Sequence, residues 1–273
     1  MKILDGRKIA EKILREIRQE IKAKKKQLIL AIVQVGGDAV NESYLKQKQL
    51  ASEEAGVNFL LFRFPAGVKE EVLAKKITAL AKSRKVSGIV IQLPLPKKIN
   101  SQKILNLIPL KKDPDCLSDA AFGRFAVGES VVLPPVAGAV KRFLNECQVE
   151  VKGKNVVLIG SGRLVGRPLA NWFLNQKASL SVLNSSTKDI SLFVKKADII
   201  VSGVGQPGLI IGRMVKKEAM VIDAGASSEN GRIEGDVDFN SVSKKAGYLT
   251  PPVGGVGPLA VACLLENLFI LNR

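Results

Sequence analysis

The chain contains no histidine. Ser-His-Asp and Cys-His catalysis are therefore excluded, as are histidine metal sites of the H-E-x-x-H kind. Any general acid or base must be Lys, Tyr, Cys or a carboxylate. Cysteine is scarce: Cys116, Cys147 and Cys263 are far apart, odd in number and form no C-x-x-C pair. That speaks against a disulfide framework or a zinc site, fits a reducing cytoplasm, and leaves no metal to expect. Aromatics make up only 5%, and no basic stretch interleaves with them as in an RNA-binding sheet. No apolar run reaches the roughly 18 residues of a membrane span. The longest candidate, Pro258 to Leu271, is interrupted by Glu266 and Asn267. The opening MKILDGRKIAEK has no apolar stretch long enough for a signal peptide. The expectation is a cytoplasmic protein with no membrane partner.

What is present is length, apolar content and positive charge. The 273 residues allow one large or two ordinary domains, and 46% hydrophobic residues suffice for a sizeable core. Lys and Arg number 42 against 25 Asp and Glu, a formal charge of +17, which points to an anionic partner. Lysines such as Lys22, Lys24, Lys25, Lys26, Lys75 and Lys76 also read as solvated helix faces. Without aromatic interleaving, nucleic acid is not the expected partner.

Ile9, Ile13, Ile17 and Ile21 recur every four residues among charges, which predicts an amphipathic helix that Asp5 could cap. Strands are predicted at 28–35, 57–64 and 86–93, with helices at about 41–55, ended by Gly56, and 70–83. A loop-rich stretch follows around 108–135, then a helix at about 137–146. Further strands are predicted at 155–160, 178–184, 197–204 and 219–225, with a short last one at 247–249 and a final apolar helix from about Pro258. Strands alternating with helices give an α/β fold with parallel sheets. A domain boundary falls near 138, and the final helix could pack back on the first domain.

Three stretches could carry chemistry. Gly160-Ser161-Gly162-Arg163-Leu164-Val165-Gly166 lies between a predicted strand and a helix, where glycines and a helix N-terminus accept a dinucleotide phosphate. An ordinary glycine-rich turn would read the same way. The next strand ends at Leu183-Asn184-Ser185-Ser186-Thr187, without the carboxylate that usually holds the ribose of NAD. Ser185 and Thr187 suit a 2′-phosphate, and Arg163 or Arg167 could reach it, although a plain polar loop is an equal reading.

Tyr44 and Lys48 are four apart and share a helix face. Gln92 ends a strand before Leu93-Pro94-Leu95-Pro96, and Asp113 and Asp115 follow. A lysine in a partly dry cleft can work as acid or base, an amide can select its protonation state, and an aspartate can hold a heterocycle with adjacent N–H groups. Taken singly, Lys48 also reads as a surface helix lysine, Tyr44 as a half-buried core residue and Gln92 as a polar strand end. The third stretch, Thr250 to Pro258, has three glycines and three prolines in a stiff loop, open to a planar ligand or serving only to lead into the last helix.

In order along the chain stand Val35-Gly-Gly-Asp38, Ser43-Tyr44 with Lys48, Val90-Ile-Gln92-Leu-Pro-Leu-Pro96, Lys112-Asp113-Pro-Asp115, the glycine turn, Gly235-Asp-Val237 and Pro252-Val-Gly-Gly-Val-Gly-Pro258. Together they resemble the bifunctional methylenetetrahydrofolate dehydrogenase/methenyltetrahydrofolate cyclohydrolase family over nearly the whole chain. The resemblance implies an N-terminal three-layer α/β folate domain, 1–138 plus 251–273, and a Rossmann-like NAD(P) domain, 139–250. It implies a homodimer that oxidises 5,10-methylenetetrahydrofolate with NADP, or NAD, and hydrolyses the methenyl product to 10-formyltetrahydrofolate for one-carbon metabolism and purine biosynthesis. Carried over by motif, Tyr44 stacks on the folate's aminobenzoyl ring and Lys48 is the general acid/base, tuned by Gln92. Asp115 grips the pterin, and Gly257 and Pro258 line the folate site.

The chain departs from the family's pattern at several places. Gly160-Ser161-Gly162 replaces Gly-Arg-Ser, and Leu183-Asn184-Ser185 replaces Cys-His-Ser. Leu133-Pro134-Pro135-Val136 replaces Pro-Cys-Thr-Pro, and Asp115-Cys116 replaces Asp-Gly. A dehydrogenase of the shikimate or amino-acid type would share the two-domain plan but lack QLPLP and GGVGP.

Overall fold

The computed structural model describes residues 1–37, 39–225, 227–229 and 232–273, with backbone alone at 39–41, 228–229 and 232–233. The chain divides into two compact units, residues 11–135 with 261–273 and residues 1–10 with 136–260. In chain order the first elements are β1 (Lys2–Ile3), α1 (Gly6–Ala23), β2 (Ile29–Val35), α2 (Ala39–Ala55), β3 (Asn58–Phe64), α3 (Glu70–Lys82), β4 (Gly88–Ile91), α4 (Ser101–Leu105), α5 (Asp119–Ala126) and α6 (Pro135–Glu146). There follow β5 (Asn155–Ile159), α7 (Gly166–Asn175), β6 (Ser179–Leu183), α8 (Ser191–Val194), β7 (Ile199–Ser202), β8 (Met220–Asp223), β9 (Ser227–Glu229), β10 (Arg232–Glu234), α9 (Phe239–Val242), β11 (Tyr248–Leu249) and α10 (Val256–Ile270).

The unit of residues 11–135 and 261–273 is built on a parallel sheet of order β3-β2-β4. Its central strand is buried from Leu30 to Val35, which is why 28–33 reads as one continuous apolar run. Leu73, Ile77 and Leu80 of α3, spaced three and four apart, close one core with Val33, Ile89 and Ile91. Each fully buried aliphatic there contributes about 1.5–3 kcal/mol. Ile13, Leu14, Ile17 and Ile21 form the buried stripe of α1, and the Asp5 carboxylate accepts from the Lys8 N–H at 3.0 Å as its cap.

The end of α10 packs within this unit. Asn267 Nδ2 donates to Pro114 O at 2.8 Å and to Leu133 O at 2.6 Å. Asn272 Nδ2 donates to Ser87 O at 3.1 Å, and Lys26 Nζ donates to Asn272 O. The stretch expected to be loop-rich contains α5, capped by Ser118 Oγ accepting from Ala121 N–H at 3.3 Å.

The unit of residues 1–10 and 136–260 carries a six-stranded, fully parallel sheet of order β1-β11-β8-β7-β5-β6. Its interior strands β5, β7 and β8 are buried almost throughout. Residues 1–10 fall with the first domain in the sequence reading. In the structure Lys2 and Ile3 pair with Tyr248 and Leu249 as the edge of this other sheet. Two residues are too short to show a period, so this strand leaves no sequence signal. β9 and β10 form a separate antiparallel pair. Among the described residues, no helix is long and apolar enough to cross a membrane.

A lysine–amide–carboxylate site and a glycine turn

Both sheets reverse their strand order at a defined place. In the three-stranded sheet the chain runs from β2 to β3 on one side, then crosses to β4 on the other. The switch lies between the carboxyl ends of β2 and β4, where open α/β sheets bind ligands. α2 leaves the end of β2, and Gln92 follows β4. Lys48 Nζ, in the third turn of α2, donates to Gln92 Oε1 at 2.8 Å. Tyr44 is half-buried one turn earlier on the same face, and burial raises its phenol above the ordinary value. The start of α2 is fixed to β2 and β3 by Glu42, which accepts from Gln34 Nε2 at 2.8 Å and pairs with both guanidinium nitrogens of Arg63 at 2.6 and 2.9 Å. Asp38, part of the motif ahead of this helix, lies outside the described residues.

Burial lowers the Lys48 pKa, against the opposing pull of the Asp115 carboxylate. Burial likewise pushes Asp115 up to about 6, Lys48 opposing and Asp113 assisting. Each group makes the other's charge affordable, and neither is held firmly in its charged form. Burial thus works against the charged form of both the Lys48 ammonium and the Asp115 carboxylate.

Three residues hold the loop that carries Asp115. Lys112 Nζ donates to Ala81 O at 2.9 Å and Ser83 O at 2.6 Å, at the end of α3. The buried Asp113 carboxylate accepts from the N–H groups of Leu117 at 3.3 Å and Ser118 at 2.8 Å. Asn267 holds the Pro114 carbonyl from the other side. Asp113, paired with Asp115 in the sequence reading, therefore clamps the loop and spends its oxygens on backbone. Cys116, in the family's glycine position, has φ 55° and is buried. The backbone there takes the left-handed conformation that glycine favours. Sequence reasoning missed Lys112 and Asn267 as anchors. The signal for Asn267 was visible, since it is a polar residue interrupting an apolar helix.

In the larger sheet the chain runs from β5 to β6 on one side and crosses back to β7 on the other. The turn from Gly160 to Val165 leaves the end of β5 at that switch and opens α7. Gly160 has φ 106°, and a Cβ on Gly166 would overlap the Gly160 carbonyl oxygen. The glycines thus close the turn tightly onto the helix N-terminus. Ser161, Gly162 and Leu164 are exposed, and Val165 directly precedes α7. Among the described residues Arg163 Nη1 is buried without a hydrogen-bond partner, a cationic nitrogen lacking an acceptor. After β6, Thr187 Oγ1 accepts from the Asn184 N–H at 3.1 Å, which leaves its hydroxyl proton free to donate. Ser185 is exposed. Donors and no carboxylate at this strand end fit a phosphate-bearing nucleotide.

A parallel sheet with a glycine turn at its switch point, and a second sheet presenting a lysine, an amide and a carboxylate at its own, define a nucleotide-dependent enzyme with a separate acid/base site. Residues 4–115 match the tetrahydrofolate dehydrogenase/cyclohydrolase catalytic domain, and residues 134–273 match the NAD(P)-binding domain of the same proteins. The chain is 42% identical to the bifunctional protein FolD of Hydrogenobaculum, across 98% of this chain and 97% of that protein. The crystal structure of the bifunctional FolD enzyme of Campylobacter jejuni superposes with a TM-score of 0.94 at 38% identity, covering 99% of this chain and 98% of that one. The Trypanosoma brucei FolD structure, complexed with NADP cofactor and inhibitor, gives 0.94 at 34% identity, covering 99% and 97%. The chain belongs to the tetrahydrofolate dehydrogenase/cyclohydrolase family. It is a bifunctional enzyme of one-carbon metabolism with methylenetetrahydrofolate dehydrogenase and methenyltetrahydrofolate cyclohydrolase activities.

Proposed function

We propose that this chain oxidises 5,10-methylenetetrahydrofolate with NADP and hydrolyses the methenyl product to 10-formyltetrahydrofolate, with Lys48 as the proton-handling residue. The observation that carries this reading is the Lys48–Gln92 hydrogen bond at 2.8 Å beside Asp115. Bound NADP supplies the hydride acceptor for the first reaction. That reaction needs orientation of the folate more than it needs an acid. Tyr44 provides an aromatic face for the folate's aminobenzoyl ring, and the Asp115 carboxylate accepts paired N–H bonds from the pterin. Gly257 and Pro258, in the first turn of α10, are assigned to the folate site on the family pattern.

In the hydrolysis, water adds to the methenyl carbon and gives one proton to neutral Lys48. The adduct then opens. Its carbon–N5 bond breaks, the lysine ammonium protonates N5, and the hydroxyl proton leaves to solvent as the formyl C=O forms. Water, cation and product balance with one proton released. Gln92, accepting from Lys48, keeps the amine aimed while it cycles between its two states.

The residues Gly160, Ser161, Gly162, Arg163, Leu164, Val165 and Gly166 would hold the nucleotide's phosphates, with Ser185 and Thr187 at the ribose end. NADP is favoured over NAD by the absence of a carboxylate at 183–187. On the family pattern the folate site draws on 1–138 with 251–273 and the nucleotide site on 139–250, although residues 1–10 and 251–260 pack in the unit that carries the glycine turn, in a cytoplasmic homodimer supplying purine biosynthesis. The deciding experiment offers 5,10-methylenetetrahydrofolate with NADP or NAD and follows reduced nucleotide and the methenyl intermediate separately. Reduction of NADP followed by decay of the intermediate is expected, and no reduction of either nucleotide would overturn the proposal.

A further inference from the structure

The stretch Gly235-Asp236-Val237 belongs to neither the lysine site nor the glycine turn, yet it contains a buried carboxylate that accepts three hydrogen bonds. Asp236 is fully buried. Its Oδ2 accepts from the Ser202 hydroxyl at 2.6 Å and the Val204 N–H at 2.8 Å, and its Oδ1 accepts from the Gln206 N–H at 2.7 Å. All three donors lie at or just beyond the carboxyl end of β7. That segment faces the glycine turn, because a Cβ on Gly160 would lie 2.9 Å from Val204 Cγ1 and 3.0 Å from the Gly203 carbonyl oxygen.

Asp236 is itself held in place. Asp223 accepts from the Asp236 N–H at 3.1 Å, the Val237 N–H at 2.9 Å and the Gly225 N–H at 2.9 Å. The Asp223 N–H in turn donates to Thr250 Oγ1 at 2.8 Å. Burial of two carboxylates side by side is costly, and Asp223 is pushed up to about 6, first by burial and further by Asp236. A neutral loop closure would avoid that cost. Only an acceptor-only group with two oxygens can take three converging donors, since an amide would turn its own N–H toward one of them.

We propose that Asp236 is a positioning residue for the nucleotide site: its carboxylate presets the 202–206 segment as the wall opposite the glycine turn. This rests on the reading of that turn as the nucleotide site. Preorganised backbone spares the ordering that binding would otherwise have to supply.

The test measures NADP dissociation constants by titration calorimetry for the wild-type chain, Asp236→Asn and Ser202→Ala, alongside cyclohydrolase turnover of methenyltetrahydrofolate without nucleotide. Asp236→Asn is expected to weaken NADP binding by about tenfold while cyclohydrolase turnover stays within about twofold of wild type. Ser202→Ala, which removes one of three bonds, should weaken it by a few-fold. Wild-type affinity in a folded Asp236→Asn chain overturns the proposal. If that chain does not fold, Ser202→Ala decides, and unchanged affinity there overturns it equally. A wild-type chain that binds no NADP is a separate result, and it strikes the nucleotide reading itself.

Discussion

Lys48 Nζ and Gln92 Oε1 meet at 2.8 Å although they lie 44 positions apart, one on the helix after β2 and the other just past β4. The parallel crossover brings them together, since both follow neighbouring strands at the same end of one sheet. An amide acceptor beside a partly dehydrated amine favours neither charge state strongly, which suits a group that must take and return a proton.

Lys48→Met should lower cyclohydrolase turnover by at least about a hundredfold. Folding should persist, because the replacement removes a buried amine whose charged form is disfavoured and keeps most of its volume. Methenyl decay kinetics and a thermal melt check both parts. Undiminished hydrolysis would remove Lys48 from the mechanism.

Gln92→Glu places a carboxylate on the same amine and favours its ammonium form. The neutral base is then available only at higher pH. The rising limb of the hydrolysis pH–rate profile should move to higher pH, with the maximal rate less affected. An unshifted limb would separate Gln92 from the tuning of Lys48.

Asp115 has its pKa raised to about 6. Above that pH it is an acceptor for two pterin N–H groups, and below it one oxygen carries a proton. The folate KM should therefore rise as pH falls through about 6. Asp115→Ala should raise KM at all pH values, by about tenfold or more, and flatten this dependence. Steady-state kinetics across pH decides it.

Arg163→Ala removes the buried nitrogen without a partner in the glycine turn. NADP affinity should fall by about tenfold, as for a charged hydrogen bond, with a smaller effect on NAD. Equal losses for both nucleotides in equilibrium titration would move Arg163 from the 2′-phosphate to the shared pyrophosphate.

Asn267→Leu strips the donors from two carbonyls, Pro114 and Leu133, at a position only 5% exposed. A loss of about 1–3 kcal/mol in unfolding free energy is expected, with a raised folate KM because Pro114 adjoins Asp115. Denaturant melts and substrate saturation measure the two effects.

The buried parallel strands were legible in the sequence because mostly apolar runs fill them. β2 and β5 fall within a residue or two of their predicted bounds. Short pieces were not legible. β1, α4, α8 and α9 have too few residues for a period, and α5 lies in a segment whose glycine and prolines read as loop. At the site, spacing placed Tyr44 and Lys48 on one face, and the strand end placed Gln92. The loop anchors Lys112, Asp113 and Asn267 depend on contacts between segments distant in sequence, which no local pattern encodes. Asp236 could be quoted as a motif, but its three acceptor bonds exist only once β7 and the following segment are folded beside it.

The pairing of Lys2 and Ile3 with Tyr248 and Leu249 also sets an order of assembly. Loop closure over nearly the whole chain is slow compared with the local βα contacts. On a ribosome, Lys2 and Ile3 are made long before their partners and wait for β11 to emerge, while β5, β6 and β7 can already associate. One edge strand of this sheet is thus made before all the strands it joins and seated after them.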